Sequence, residues 1–91
     1  MTAAAIRALL APGVVVRVTN HFITRADHPC FGTQDRTVAR VTSGGLWFTV
    51  SGRVAWPKAA QLAYDAHART ITFYGGGIGQ APTDRFLTIA L

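Results

Sequence analysis

The fold of this chain is decided by residues 36–51, which have the sequence RTVARVTSGGLWFTVS. Two runs rich in Thr, Val and aromatic side chains flank Ser43-Gly44-Gly45, which is a tight-turn signal. Side chains alternate in the second run: the apolar face carries Leu46, Phe48 and Val50, and the other carries Trp47, Thr49 and Ser51. The stretch therefore predicts a β-hairpin with strands at 36–42 and 46–51.

The flanking sequence predicts further short elements on both sides of this hairpin. Before it come a helix over residues 3–11 capped by Thr2, a strand at 14–19 that can extend to residue 23, and an irregular loop at 24–35. After it come a strand at 54–56, a helix over 57–63, a turn at 64–69, and strands at 70–74 and 86–91. Residues 1–91 thus form a single, mainly β domain, a small twisted antiparallel barrel or sandwich of five to six strands.

This order of elements resembles that of SH3-like small β-barrels over roughly residues 13–74. The loop at 24–35 lies where such barrels have their long first loop, and Trp56-Pro57-Lys58 lies where they often have a helical turn. The N-terminal helix and the 70–91 hairpin are additions to that pattern. The resemblance implies a fold, and it assigns no partner or activity.

Composition limits the class of function. The net charge is +5, from nine Lys and Arg against four Asp, and all the cations except Lys58 are arginine. A basic balance of this kind favours acidic partners, such as nucleic acid or an acidic protein surface. Arg17 ends the apolar run Val14–Val16, which is too short to span a membrane, so no membrane partner is expected. Cys30 is the only cysteine, which excludes an internal disulfide and is typical of a cytoplasmic protein.

Strand alternation predicts an outer face that combines arginine with tryptophan. Arg17 lies opposite the valines of its strand, Trp47 lies opposite the core positions of the hairpin, and Arg40 is expected outside with them. Guanidinium groups bind phosphate, and an exposed indole stacks on unpaired bases. The predicted nucleic-acid-binding residues are Arg17, Arg40, Trp47, Arg53, Trp56 and Lys58. Each tryptophan has alternatives to a role in stacking. Trp47 is instead covered by the N-terminal helix or by the 24–35 loop. Trp56 instead closes the barrel or contributes to an aromatic peptide groove.

Other candidate sites lack part of the pattern that their chemistry needs. His21, Asp27, His28 and Cys30 include metal-ligand and nucleophile types, but the paired cysteines of zinc sites are missing. Gly75–Gly79 is followed by Gln80-Ala81-Pro82 rather than by the Lys and helix of a phosphate loop, so it is interpreted as a hairpin tip. We therefore expect no catalytic residues, no metal site and no cofactor.

Three functions follow from these observations. The first is a non-enzymatic module that binds nucleic acid through Arg–phosphate contacts and Trp stacking. The second is a protein-interaction module, for example a phage or mobile-element inhibitor of a host defence enzyme. The third is an enzyme dependent on Cys30 and the histidines. A homodimer formed through an open edge at the last strand, 86–91, is compatible with the first two.

Overall fold

A computed structural model of the protein describes residues 1–50 and 52–91, and these residues form one seven-stranded antiparallel sheet. The strands are β1 Val15–Asn20, β2 Gly32–Thr42, β3 Gly45–Phe48, β4 Gly52–Val54, β5 Leu62–Asp65, β6 Thr70–Tyr74 and β7 Arg85–Ala90. Their order across the sheet is β4-β3-β2-β1-β7-β6-β5. A short helix α1, Ala3–Arg7, precedes β1, and a turn of 3-10 helix, Ala59–Gln61, precedes β5. No helix in the described ranges has the length and apolar character to cross a membrane.

The long strand β2 joins the two halves of the sheet. Its first part pairs with β1, and its second part pairs with β3. The register shifts between Val38 and Arg40, where a β-bulge inserts one residue. A bulge bends the strand and reverses which face the following side chains occupy. The sheet therefore curves around its apolar face, and Arg40 lies on the opposite, outer face.

The core lies on the inner face of the curved sheet and under α1. Its buried residues are Ile6, Leu10, Val16, Val38, Leu46, Phe48, Leu62, Ile71, Phe73, Leu87 and Ile89. Six of the seven strands contribute to this set, which explains why such short strands are stable together. Thr2 caps α1 as predicted, because its hydroxyl accepts a hydrogen bond from the Ala5 amide at 3.1 Å.

The structure confirms a mainly β protein and corrects several element boundaries. Seven strands replace the predicted five to six, because residues 62–65 form β5 where the end of a helix and a turn were predicted. Strand β2 begins at Gly32, four residues before the predicted start. Strand β3 ends at Phe48, so Val50 is 79% exposed instead of core-facing, and the predicted strand end at Ser51 lies outside the described residues.

The sheet is open rather than closed on itself. Among the described residues, β4 and β5 each pair with a single neighbour and so form the two edges. The C-terminal strand β7 pairs with β1 on one side and β6 on the other. The prediction that the last strand is a free edge for dimerisation is therefore wrong, because both of its hydrogen-bonding sides are occupied within the chain.

Candidate functional site

Three side chains form a row across the outer face at one end of the sheet. Arg40 of β2 pairs in register with Trp47 of β3, and Trp47 pairs in register with Arg53 of β4. The neighbours of Trp47 along its strand, Leu46 and Phe48, are buried on the inner face, so Trp47 points outward. Neighbouring strands are about 4.8 Å apart, so the row places one arginine on each side of the indole. We call these three residues the basic row.

The Arg40 guanidinium stacks on Trp47, with its central carbon 4.1 Å from the ring centroid. This cation–π contact orients both side chains, although each keeps solvent-exposed surface. Trp47 is half-buried, and Arg40 covers one side of its ring. Trp47 is therefore not sealed inside the protein, and the side chain that lies on its ring is Arg40.

Arg53 is held in place by the hairpin turn. Its Nη1 donates a hydrogen bond to the Gly44 carbonyl oxygen at 2.8 Å. Its aliphatic stem lies over Gly45, where a Cβ atom would come within 2.8 Å of Arg53 Cγ and 3.0 Å of Cδ. Gly45 thus has a second role beyond the turn, since its missing side chain makes the space that Arg53 occupies. The sequence pattern predicts the turn, but it does not predict this contact with Arg53.

The basic row has no carboxylate partner in the described part of the chain. The ion pairs found there join Arg17 to Asp35 at 3.2 Å and Arg25 to Asp27 at 3.0 Å. The four aspartates of the sequence are at positions 27, 35, 65 and 84, so residues 36–64 contain none. The charges of Arg40 and Arg53 are therefore available to an external anion.

Arg17 lies on the same outer face but outside the row. It pairs in register with Asp35, whose carboxylate accepts its Nε hydrogen bond. Asp35 is five residues before Arg40 on β2, which corresponds to about 16 Å along a strand. The structure therefore does not bring Arg17 together with the basic row, and its charge is compensated locally.

Trp56 and Lys58 also lie apart from the row. Trp56 Nε1 donates to the Thr42 carbonyl oxygen at 2.7 Å. Its ring packs against Phe73 with centroids 5.6 Å apart, and the Arg7 guanidinium lies 5.8 Å from its centroid. Trp56 thus packs on the core, and it also lines a pocket with Tyr74 and Phe86, so features of both predicted alternatives are present. Lys58 is exposed next to the 3-10 turn.

His21 and His28 have different hydrogen-bond partners in the structure. His28 Nδ1 accepts a hydrogen bond from the Cys30 amide at 3.0 Å, which organises the loop backbone. His21 instead lies 2.8 Å from the Thr88 hydroxyl on β7. Burial, and secondarily the positive charge of Arg85, lowers the pKa of His21 below its ordinary value. The described residues contain no group of three His, Cys, Asp or Glu side chains arranged to hold a metal.

The glycine-rich tip packs on aromatic side chains. Phe22 and Phe86 contact each other with ring centroids 5.7 Å apart. A Cβ atom at Gly76 would come within 2.9 Å of the Phe86 ring, and a Cβ atom at Gly77 would collide with Phe22. The glycines are therefore required for close approach to these rings, which leaves the interpretation as a hairpin tip unchanged.

Comparison with known proteins gives no relative from which a role could be transferred. No protein-family model, no curated protein and no solved structure matches this chain.

Proposed function

We propose that the protein is a non-enzymatic module that binds single-stranded nucleic acid on the basic row. The observation that carries the proposal is the half-buried indole of Trp47 between two arginines that lack carboxylate partners in the described part of the chain. An indole offers a flat surface to any unpaired base, and guanidinium groups bind the adjoining phosphates. This combination is typical of binding without strong sequence preference.

Each residue of the basic row has a distinct task. Trp47 stacks on one base through the part of its ring that Arg40 leaves uncovered. Arg40 is oriented by that same ring, so its guanidinium donors are fixed before a phosphate arrives. The Gly44 carbonyl oxygen accepts a hydrogen bond from Arg53 Nη1 and so orients this side chain. The Nη2 and Nε groups of Arg53 then donate outward. Preorganised donors lose less side-chain entropy when they bind a phosphate.

The charge distribution supports the same partner. Residues 36–64 carry Arg36, Arg40, Arg53 and Lys58 and no acidic residue, which places a net charge of +4 in that segment out of +5 in the whole chain. This segment contains β2 from Arg36 onward, all of β3 and β4, and the turn after them. Their excess charge attracts a polyanion to the end of the sheet where the basic row lies.

The direct test is fluorescence anisotropy with labelled single-stranded DNA, single-stranded RNA and duplex DNA of equal length. Two phosphate contacts, from Arg40 and Arg53, give a slope of log affinity against log salt of about −1.4 for a single strand. The Arg40→Ala variant should reduce this slope to about −0.7, with the same loss for different sequences. Tighter binding to duplex DNA than to single strands would contradict the stacking role of Trp47.

Arg17→Ala is the matched control, because it removes an identical charge from the same outer face. Arg17 is already paired with Asp35, so its variant should bind within about twofold of the wild type. Equal losses for Arg17→Ala and Arg40→Ala would show that net charge alone acts, and would refute the basic row. A partner that survives nuclease treatment in a pull-down would instead assign the row to an acidic protein surface.

We also propose that the fold is an open variant of the SH3-like small barrel. Two features support this relation: a bent strand β2 shared by both halves of the sheet, and a 3-10 turn at Ala59–Gln61 that precedes a strand. The relation concerns the fold, and the proposed binding rests on the basic row independently of it.

A further inference from the structure

A second charged site lies in a pocket on the inner face of the sheet, and Arg53 of the basic row also lines this pocket. Arg36 pairs in register with buried Val16 and lies two residues before buried Val38, so its side chain starts on the inner face. It lines a pocket of about 180 Å³ whose apolar walls include Val18, Ile23 and Phe48. The guanidinium of this half-buried arginine needs hydrogen-bond acceptors, because burial of a charge is costly without compensation.

The compensation that Arg36 receives from the protein is incomplete. Its guanidinium donates to the Asp35 carbonyl at 3.5 Å, to the Pro29 carbonyl at 3.4 Å and to the Gln34 side-chain oxygen. The two carbonyl contacts are long for charge-assisted hydrogen bonds, and five N–H groups are available. In the described part of the chain, neither ion pair includes Arg36, and no acidic residue lines the pocket.

Asn20 adds a further donor to the same pocket. Its Oδ1 accepts the backbone amides of Phe22 and Ile23 at 3.0 and 2.9 Å, which leaves its NH₂ group to donate elsewhere. The pocket is therefore lined by two arginines, Arg36 and Arg53, and it offers a guanidinium fork and an amide donor beside apolar side chains. The planar fork matches the two oxygens of a carboxylate.

We propose that this pocket binds a small organic carboxylate with an apolar or aromatic body. A cavity of 150 Å³ lined by apolar side chains accommodates benzene, so about 180 Å³ has room for a six-membered ring and its carboxylate. The carboxylate pairs with Arg36, and the ring lies against Val18 and Phe48. Inorganic phosphate has no apolar body to place against Val18 and Phe48, so it should bind more weakly than an aromatic carboxylate.

The test uses benzoate as the probe, with titrations followed by amide chemical shifts. Benzyl alcohol has the same ring without the charge, and inorganic phosphate has the charge without the ring. Benzoate should bind at least tenfold more tightly than either, with shifts centred on β1, the start of β2 and the loop before it. Cys30 also lines the pocket, so benzoate should slow its alkylation by iodoacetamide at least threefold.

Two variants separate the charge from the cavity. Arg36→Gln should weaken benzoate at least tenfold, whereas Arg25→Gln, which changes an exposed, ion-paired arginine of the adjoining loop, should leave it unchanged. Ile23→Trp keeps Arg36 and fills the pocket from a loop position, so it should also abolish binding. Equal affinities for benzoate and benzyl alcohol, full binding by Arg36→Gln, or phosphate binding as tight as benzoate would each overturn the proposal.

Discussion

Replacing Gly45 by alanine tests the basic row without changing any charge. The new Cβ atom would lie 2.8 Å from Arg53 Cγ and 3.0 Å from the Val54 carbonyl oxygen, so the arginine side chain must move. It then loses its hydrogen bond to the Gly44 carbonyl, which contributes about 1 kcal/mol at an exposed site. Gly44→Ala is the matched control, because its nearest contact would be 3.7 Å away.

The expected difference follows from these contacts. Both alanines reduce the entropy of the unfolded chain by a similar amount, so this effect cancels between them. Gly45→Ala should therefore be about 1–2 kcal/mol less stable than Gly44→Ala in urea unfolding. Loss of one phosphate contact reduces the slope of log affinity against log salt by about 0.7. This change corresponds to roughly fivefold weaker oligonucleotide binding at 0.1 M salt. If both glycine variants bind oligonucleotide equally well, Arg53 does not hold a phosphate in the position described.

Three further predictions concern stability and the limits of the site. Gly75 and Gly79 both have positive φ, but only at Gly75 would a Cβ atom lie 2.9 Å from the opposite backbone. In thermal unfolding, Gly79→Ala should therefore lower the free energy of unfolding by about 1 kcal/mol, and Gly75→Ala should lower it by at least 1 kcal/mol more. Because the pKa of His21 is lowered in the folded chain, its imidazole binds a proton at a higher pH in the unfolded chain than in the folded one. The free energy of unfolding in urea melts should therefore fall as pH drops below about 6.5. Arg85→Gln should lessen that fall, and an unchanged profile would contradict the contribution of this charge. Trp56→Phe should cost about 1 kcal/mol through its lost hydrogen bond and leave oligonucleotide affinity unchanged; a weakened affinity would place Trp56 in the site.

Local sequence pattern predicts the parts of this fold that depend on neighbouring residues. The turn at Ser43–Gly45 and the alternation after it predict β3 and the outward direction of Trp47. Strand β5 is missed because residues 62–65 are only four and follow an alanine pair that favours a helix. Its pairing with β6, which places Leu62 opposite Phe73, is a tertiary effect that outweighs this local preference.

The candidate site could be predicted only in part, because it depends on a β-bulge. Arg40 lies outside, as expected, only because of this bulge, since strict alternation from the buried Val38 would put it on the inner face next to the core. The extra residue between them moves Arg40 outward and into register with Trp47. No residue in this stretch is diagnostic of a bulge. The ion pair that compensates Arg17 likewise depends on a register that the sequence alone does not define.

The central place of β7 has a consequence for how the chain acquires its structure during translation. The ribosome delivers residues 85–90 after β1 to β6, yet β7 must enter between β1 and β6. Until it arrives, β1 and β6 each have one open edge whose backbone groups can hydrogen-bond to another chain. The strands that carry the basic row pair over short sequence distances and can form before that insertion.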